Sequence, residues 1–208
     1  ADFIAGKMML VRAMILGLSL DLVQPTAQPM KDVNTSYDFV AMTPMQAHHC
    51  LGRLHQIKTL IIGGAPIYPE LNEKLVALHD NCFETYGMTE TITHIAASKL
   101  SIPKAPFHAL DGIHLEIDGE GCLVVDAPDI TDQLIHTNDL VEMHDEKTFT
   151  YLGRRDNVIN SGGVKISPEV AERKLAHHIQ FPFFLYGIPD EALGQKLIMV
   201  VEGNDDQS

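Results

Sequence analysis

Positive charge is scarce in this chain: 15 lysines and arginines stand against 28 aspartates and glutamates, a formal net charge of −13. So acidic a surface excludes non-specific nucleic-acid binding and docking on an anionic membrane, both of which need a basic face. Cysteines are few as well. Cys50, Cys82 and Cys122 are odd in number, lack metal-ligand spacing and sit among apolar residues. They read as buried free thiols, not as a disulfide frame or a metal site. The eleven histidines do not alter this, because His48-His49 and His177-His178 are neighbours and not i, i+4 pairs, and no acidic partner completes a ligand set. No apolar run has the length and freedom from charge that a membrane span or signal sequence needs. Lys7 and Arg12 interrupt the apolar start, and no small-residue cleavage site follows it. Without an export signal and with unpaired thiols, the expected location is cytoplasmic, with no membrane partner. Internal repeats and low-complexity tracts are absent too.

What is present is a 208-residue chain with 45% hydrophobic content, enough to bury the core of one large domain or one and a half. Residues 3–18 predict a largely buried helix and residues 20–23 a short strand before Pro25. Residues 39–42 predict a strand. Thr43-Pro44 opens a helix towards Leu54, residues 59–62 form an apolar strand, Pro69 starts a helix to about His79, and residues 82–85 form the next strand. Strands alternating with helices at this spacing argue for βαβ units and a parallel sheet.

After Pro103 and Pro106 helical periodicity stops. Residues 113–118 alternate, Gly119-Glu120-Gly121 makes a turn and residues 122–125 return, which is a hairpin signature. Residues 134–137, 140–144 and 149–152 predict further short strands, with Asp145-Glu146-Lys147 as a turn. From Asp156 the strand–helix–strand order resumes, with a helix over residues 168–177 and strands over 181–186 and 197–201. The acidic tail, residues 202–206, closes no pattern and reads as the cut end of a longer chain.

Several short stretches carry the parts of a ligand site. Gly63-Gly64-Ala65-Pro66 follows a strand, where open α/β sheets bind ligands, although a strand-to-helix turn would need the same glycines. Tyr86-Gly87-Met88-Thr89-Glu90 follows the next strand and offers a stacking ring, a flexible glycine, a hydroxyl and a carboxylate. Those suit a nucleotide with a metal-bound phosphate, or simply cap a helix N-terminus. Asp139 can accept two ribose hydroxyls and Arg154 offers a planar fork of donors, or the two form a surface ion pair. Residues 151–172, YLGRRDNVINSGGVKISPEVAE, combine a polar Arg-Arg-Asp step, a Ser-Gly-Gly turn and a Pro-initiated helix, the composition of a joint.

That last stretch resembles the hinge motif of the adenylate-forming acyl-CoA ligases, the superfamily that also holds luciferases and peptide-synthetase adenylation domains. Tyr86 to Glu90 and Thr137-Asn138-Asp139 match two further motifs of that family in its own order, with Asn138 where the family has glycine. The resemblance covers essentially the whole chain. It implies an α/β fold in which residues 1–155 are the C-terminal portion of a large adenylate-binding domain, with a β-rich subdomain over about 107–154. Residues 156–208 would begin a small mobile C-terminal α+β domain. It places Gly63, Gly64, Ala65 and Pro66 against adenine and acyl group and stacks Tyr86 on adenine, with Gly87 and Met88 alongside. It gives Thr89 to the α-phosphate, Glu90 to Mg²⁺, and Asp139 and Arg154 to the ribose. Asp156 would be the hinge, and Ser161, Gly162 and Gly163 would approach CoA.

The activity implied is a two-step one, in which ATP activates a small-molecule carboxylic acid and CoA then takes the acyl group. A homodimer stays open. Residues 3–9, 43–46 and 89–96 are more similar to the o-succinylbenzoate–CoA ligases of menaquinone biosynthesis than to long-chain or aryl ligases. The second acidic group of that substrate would need a cation, and Lys7, Arg12 and His94 are the candidates. Another acyl- or aryl-CoA ligase, or a non-catalytic nucleotide-binding relative, are the alternatives. The family's lysine-bearing phosphate loop and its C-terminal catalytic lysine have no counterpart here, since Lys196 opens a strand. A fragment inactive by itself is therefore expected.

Overall fold

The structure, a computed structural model, describes residues 4–203; Phe3, at the start of the expected first helix, and the tail residues 204–208 lie outside them. The chain divides into two compact units, Ala1–His114 with Asp126–Ile135, and Leu115–Val125 with His136–Ser208.

The first unit opens with helix α1 (Ile4–Leu16), followed by strand β1 (Tyr37–Met42), helix α2 (Pro44–His49), β2 (Ile57–Ile62), α3 (Pro69–Leu78), β3 (Cys82–Gly87), β4 (His94–Lys99) and β5 (Phe107–Ala109). These strands neighbour one another in chain order. Thr43 starts α2 through a capping box: its hydroxyl accepts from Gln46 N–H while the Gln46 side chain accepts from Thr43 N–H at 3.0 Å. Pro69 starts α3 at a position where no amide hydrogen is needed. Leu54, Leu60, Ile62, Leu75 and Cys82 fill the core between the helices and the strands.

Four expectations are corrected in this unit. Helix α1 is largely exposed, with Leu10, Val11, Met14, Ile15 and Leu16 at the surface and Ala13 buried. An all-round apolar helix has more faces than one neighbour covers. Residues 20–23 form no strand, and Leu22 and Val23 are exposed. Helix α2 ends at His49, and a 3-10 turn, Leu51–Gln56, carries the chain onward. The sheet is mixed. Strands β1, β2 and β3 pair in parallel, whereas β4 pairs antiparallel with both β3 and β5.

The second unit contains β6 (His114–Ile117), β7 (Cys122–Asp126), β8 (Ile135–Met143) and β9 (Thr148–Arg154), ordered β9-β8-β7-β6. Asp118 makes the β6–β7 turn by accepting from the amides of Glu120 and Cys122 at 2.9 and 2.8 Å. The two strands expected over residues 134–144 are one. The polar Asn138-Asp139 step reads as a break, but an irregularity in the β8–β9 register between Leu140 and Val141 lets the strand run on. A 3-10 turn, Arg155–Asn157, then leads to β10 (Ile159–Ser161), β11 (Val164–Ile166), helix α4 (Pro168–Leu175), β12 (Phe183–Asp190) and β13 (Gly194–Val201). Their sheet runs β11-β10-β13-β12. No helix among the described residues is long and apolar enough to cross a membrane.

Candidate nucleotide site

The parallel pairing of Leu60 with Cys82 and Ile62 with Glu84 brings the carboxyl ends of β2 and β3 to one edge of the sheet. The Gly63–Pro66 loop and the Tyr86–Glu90 segment therefore leave the sheet side by side. Their approach is close enough to specify glycine, because a Cβ on Gly63 would lie 2.5 Å from Thr85 Oγ1. Thr85 Oγ1 in turn donates to Ile62 O at 3.2 Å, tying the two strand ends together.

Beyond β3 the chain folds into a 3-10 turn, Thr89–Thr91, which leaves Thr89 and Glu90 exposed at the edge. Thr91, which sequence reasoning did not single out, holds that turn. Its side chain is wholly buried, accepts from Met88 N–H at 3.0 Å and donates to Thr93 O at 2.8 Å. Ile92 follows at φ 62°, a strained conformation for a β-branched residue. Tyr86 is partly buried and its ring lies 5.9 Å from that of Phe107, tilted by 56°. A buried carboxylate, Glu84, lies two residues before Tyr86 on the same face of β3 and ion-pairs with Lys104 at 2.5 Å. Its only signal in the sequence is an acidic residue in the middle of an apolar strand.

Of the three residues expected to face an acyl group, the structure brings two together. Arg12 Nη2 donates to Thr93 Oγ1 at 3.2 Å and lies 3.3 Å from His94 Nδ1. Burial and then the neighbouring Arg12 charge hold the His94 imidazole below its ordinary pKa, so near neutral pH the pair is one cation beside a neutral ring. Lys7 is exposed and lies about 140° round α1 from Arg12.

In the second unit, Asp139 and Arg154 are register partners on β8 and β9, with Arg154 Nε 4.0 Å from Asp139 Oδ1. Arg154 also lies 3.5 Å from Asp156. Asn138 has a definite task here, since its amide donates to Asp156 Oδ2 at 3.1 Å and accepts from Arg155 at 2.6 Å, while Arg155 also pairs with Glu120. Around them Glu169 accepts from Asn157 and from the Arg154 amide, and Ser167 donates to Leu152 O at 3.1 Å. Burial first, then Asp139 and Glu169, push the nearby Tyr151 hydroxyl up to about 12. Gly162 and Gly163, at φ 59° and 84°, form the two-residue turn between β10 and β11, so hairpin geometry alone already requires glycine there.

The fold, the motif order and the comparisons agree: the chain has the fold of the adenylate-forming acyl-CoA ligases and is similar in sequence to members of that superfamily. No family model matches it. Within the superfamily it is similar to the 2-succinylbenzoate–CoA ligases. It is 29% identical to that of Bacillus cytotoxicus over an alignment 168 positions long that covers 67% of this chain and 35% of the relative. A solved acyl-CoA synthetase (AMP-forming)/AMP-acid ligase II-like protein from Dyadobacter fermentans is 38% identical, with a TM-score of 0.66, covering 99% of this chain and 62% of that one. The o-succinylbenzoate–CoA synthetase of Bacillus subtilis, solved with ATP and magnesium ion, shares the fold at a TM-score of 0.79, with 21% identity over 95% of this chain and 49% of its own. The chain spans between 35% and 59% of the length of the curated relatives it matches.

Proposed function

We propose that this chain is part of an ATP-dependent, AMP-forming acid–CoA ligase whose acid is o-succinylbenzoate. The observation that supports it most is the parallel β2–β3 pairing, which sets the Gly63–Pro66 loop beside Tyr86, Thr89 and Glu90 at one strand edge. In the first step a carboxylate oxygen of the acid attacks the α-phosphorus of ATP, the bond to the bridging oxygen breaks, and pyrophosphate leaves. In the second the CoA thiol attacks the acyl carbon, AMP departs with the electron pair, and the thiol proton goes to solvent. Positioning and charge neutralisation supply most of the first step, and AMP is a good leaving group in the second.

On this reading the Tyr86 ring stacks on adenine, with Gly87 and Met88 beside it, and the Thr89 hydroxyl donates to the α-phosphate. No group of three or more histidine, cysteine or acidic side chains gathers to hold a metal by itself among the described residues. The exposed, lone Glu90 fits Mg²⁺, which takes one or two carboxylates and draws its other ligands from phosphate and water. Bound there, Mg²⁺ would neutralise phosphate charge. Arg12, with His94 and Thr93, holds the carboxylate that does not react; half-burial makes its charge more effective than that of the exposed Lys7. Asp139 and Arg154 take ribose hydroxyls in the same scheme. Asp156 is the hinge between residues 1–155 and 156–208, and Ser161, Gly162 and Gly163 approach CoA. The enzyme is proposed to work in the cytoplasm.

Titration calorimetry of the chain tests this with AMP, with a nonhydrolysable analogue of the o-succinylbenzoyl-adenylate, and with an aryl-adenylate analogue lacking the second carboxylate. AMP binding, tighter binding of the diacid analogue, and loss of that preference alone in Arg12→Gln are expected. Absence of AMP binding would overturn the nucleotide site. Equal affinity for both analogues would replace the acid but keep the ligase. By itself the 208-residue chain is expected to support no ATP–pyrophosphate exchange, and acid-dependent exchange would overturn the assignment of catalytic parts.

A further inference from the structure

A charge pair lies under the candidate site that the scheme above does not use. Glu84 sits in the middle of β3, its side chain 7% exposed, between the backbones of Ile62 on β2 and Ser98 on β4. One carboxylate oxygen accepts from Ile67 N–H at 3.4 Å, where the Gly63–Pro66 loop ends. The other meets Lys104 Nζ at 2.5 Å. The same ammonium stands 5.9 Å from the centroid of the buried Phe107 ring, and Phe107 is the ring that flanks Tyr86. An ion pair that buries its carboxylate and leaves its ammonium partly in water is a poor device for stability alone, since desolvating the carboxylate offsets much of what the attraction returns. Its value lies in geometry. A carboxylate held from both sides fixes its neighbours more sharply than apolar packing does, and a cation over a ring face within about 6 Å restrains that ring.

We propose that Glu84 and Lys104 are the positioning pair of the nucleotide site: Glu84 anchors the end of the Gly63–Pro66 loop, and Lys104, through Phe107, sets the plane of the Tyr86 ring. This rests on the nucleotide reading given above. Neither residue touches substrate. Their role is to hold the two walls of an adenine slot at a fixed separation.

The test is AMP affinity of the chain, by calorimetry, in Lys104→Met, Lys104→Arg and the double variant Glu84→Gln/Lys104→Met, with urea midpoints measured alongside. Lys104→Met strands a buried carboxylate and lowers both stability and affinity. The double variant removes that penalty, so its urea midpoint returns towards the parent value while AMP affinity stays down about tenfold. Lys104→Arg, which keeps the charge, restores affinity. Ring-proton shifts of Tyr86 and Phe107 move in Lys104→Met and not in Lys104→Arg. A double variant that binds AMP within about twofold of the parent, with unshifted rings, would overturn the inference and leave the nucleotide site standing. A parent chain that binds no AMP would overturn both.

Discussion

Replacing Thr91 by valine changes almost nothing in volume and removes one hydroxyl from the turn that presents Thr89 and Glu90. That hydroxyl, on a side chain with no exposure to water, accepts from Met88 N–H and donates to Thr93 O, so valine leaves the partly buried Met88 amide without its partner. An orphaned buried donor costs about 1–3 kcal/mol. The turn has little in reserve, because Ile92 already sits at φ 62°, a conformation that itself costs on the order of 1–3 kcal/mol. With a urea m-value of about 2 kcal/mol/M, the midpoint of the first unit's transition should fall by roughly 0.5–1.5 M. Hydrogen exchange localises the effect: the amides of residues 88–93 should exchange faster by about tenfold or more, with the core amides of β2 changing less. AMP affinity should fall with them, since Thr89 and Glu90 ride on the same turn. A midpoint within about 0.2 M of the parent, with unchanged exchange at Met88, would refute the claim that this hydroxyl holds the turn.

His94 should titrate below the ordinary histidine value of about 6.5 when followed by NMR, and Arg12→Gln should move it upward by removing the neighbouring charge. Because the folded state disfavours the protonated ring, the unfolded chain takes up that proton first on acidification. The His94 contribution to stability is therefore present above about 6.5 and lost as pH falls below it through the lower folded value, and His94→Asn should flatten that slope; a folded value at or above 6.5 would refute this. The three buried thiols should resist alkylation in the native chain and all react in urea, with Cys82, pushed up to about 12 by burial, the slowest. Prompt native labelling of Cys82 would contradict its placement. Asn138→Gly should cut Asp156 and Arg155 loose from β8 and speed amide exchange across residues 155–161 by roughly two- to tenfold, consistent with about 0.5–1.5 kcal/mol of lost hydrogen bonding. Unchanged exchange there would mean that Asn138 fastens nothing.

Periodicity and punctuation located most of the elements. Pro69 and Pro168 mark the starts of α3 and α4, and the Thr43–Gln46 capping box marks α2. The hairpin at Gly119–Gly121 was legible because Asp and Gly are turn formers by their own short-range chemistry. What failed was whatever depended on a neighbour far along the chain. The antiparallel β4 lay hidden inside a motif read for its chemistry. The polar Asn138-Asp139 step looked like a strand break because its partners, Asp156, Arg155 and Arg154, come from residues well downstream. Helix α1 looked buried because its sequence records only that it is apolar, not which neighbours are there to cover it.

Tyr86, Thr89, Glu90, Asp139, Arg154 and Asp156 could be proposed from the sequence because each stands in a short, ordered motif. Thr91, Glu84 and Lys104 could not be, since a buried hydroxyl and a buried carboxylate with its cation matter through what they touch. Local sequence therefore determined most of the strands, the turns and the likeness to the superfamily, whose signals are carried by residues within a few positions of one another. Tertiary structure alone decided the mixed sheet, the contact between Arg12 and His94, and the carboxylate beneath Tyr86. Those require segments separated by up to about eighty residues to meet, and hydrogen bonding and burial act only once they have.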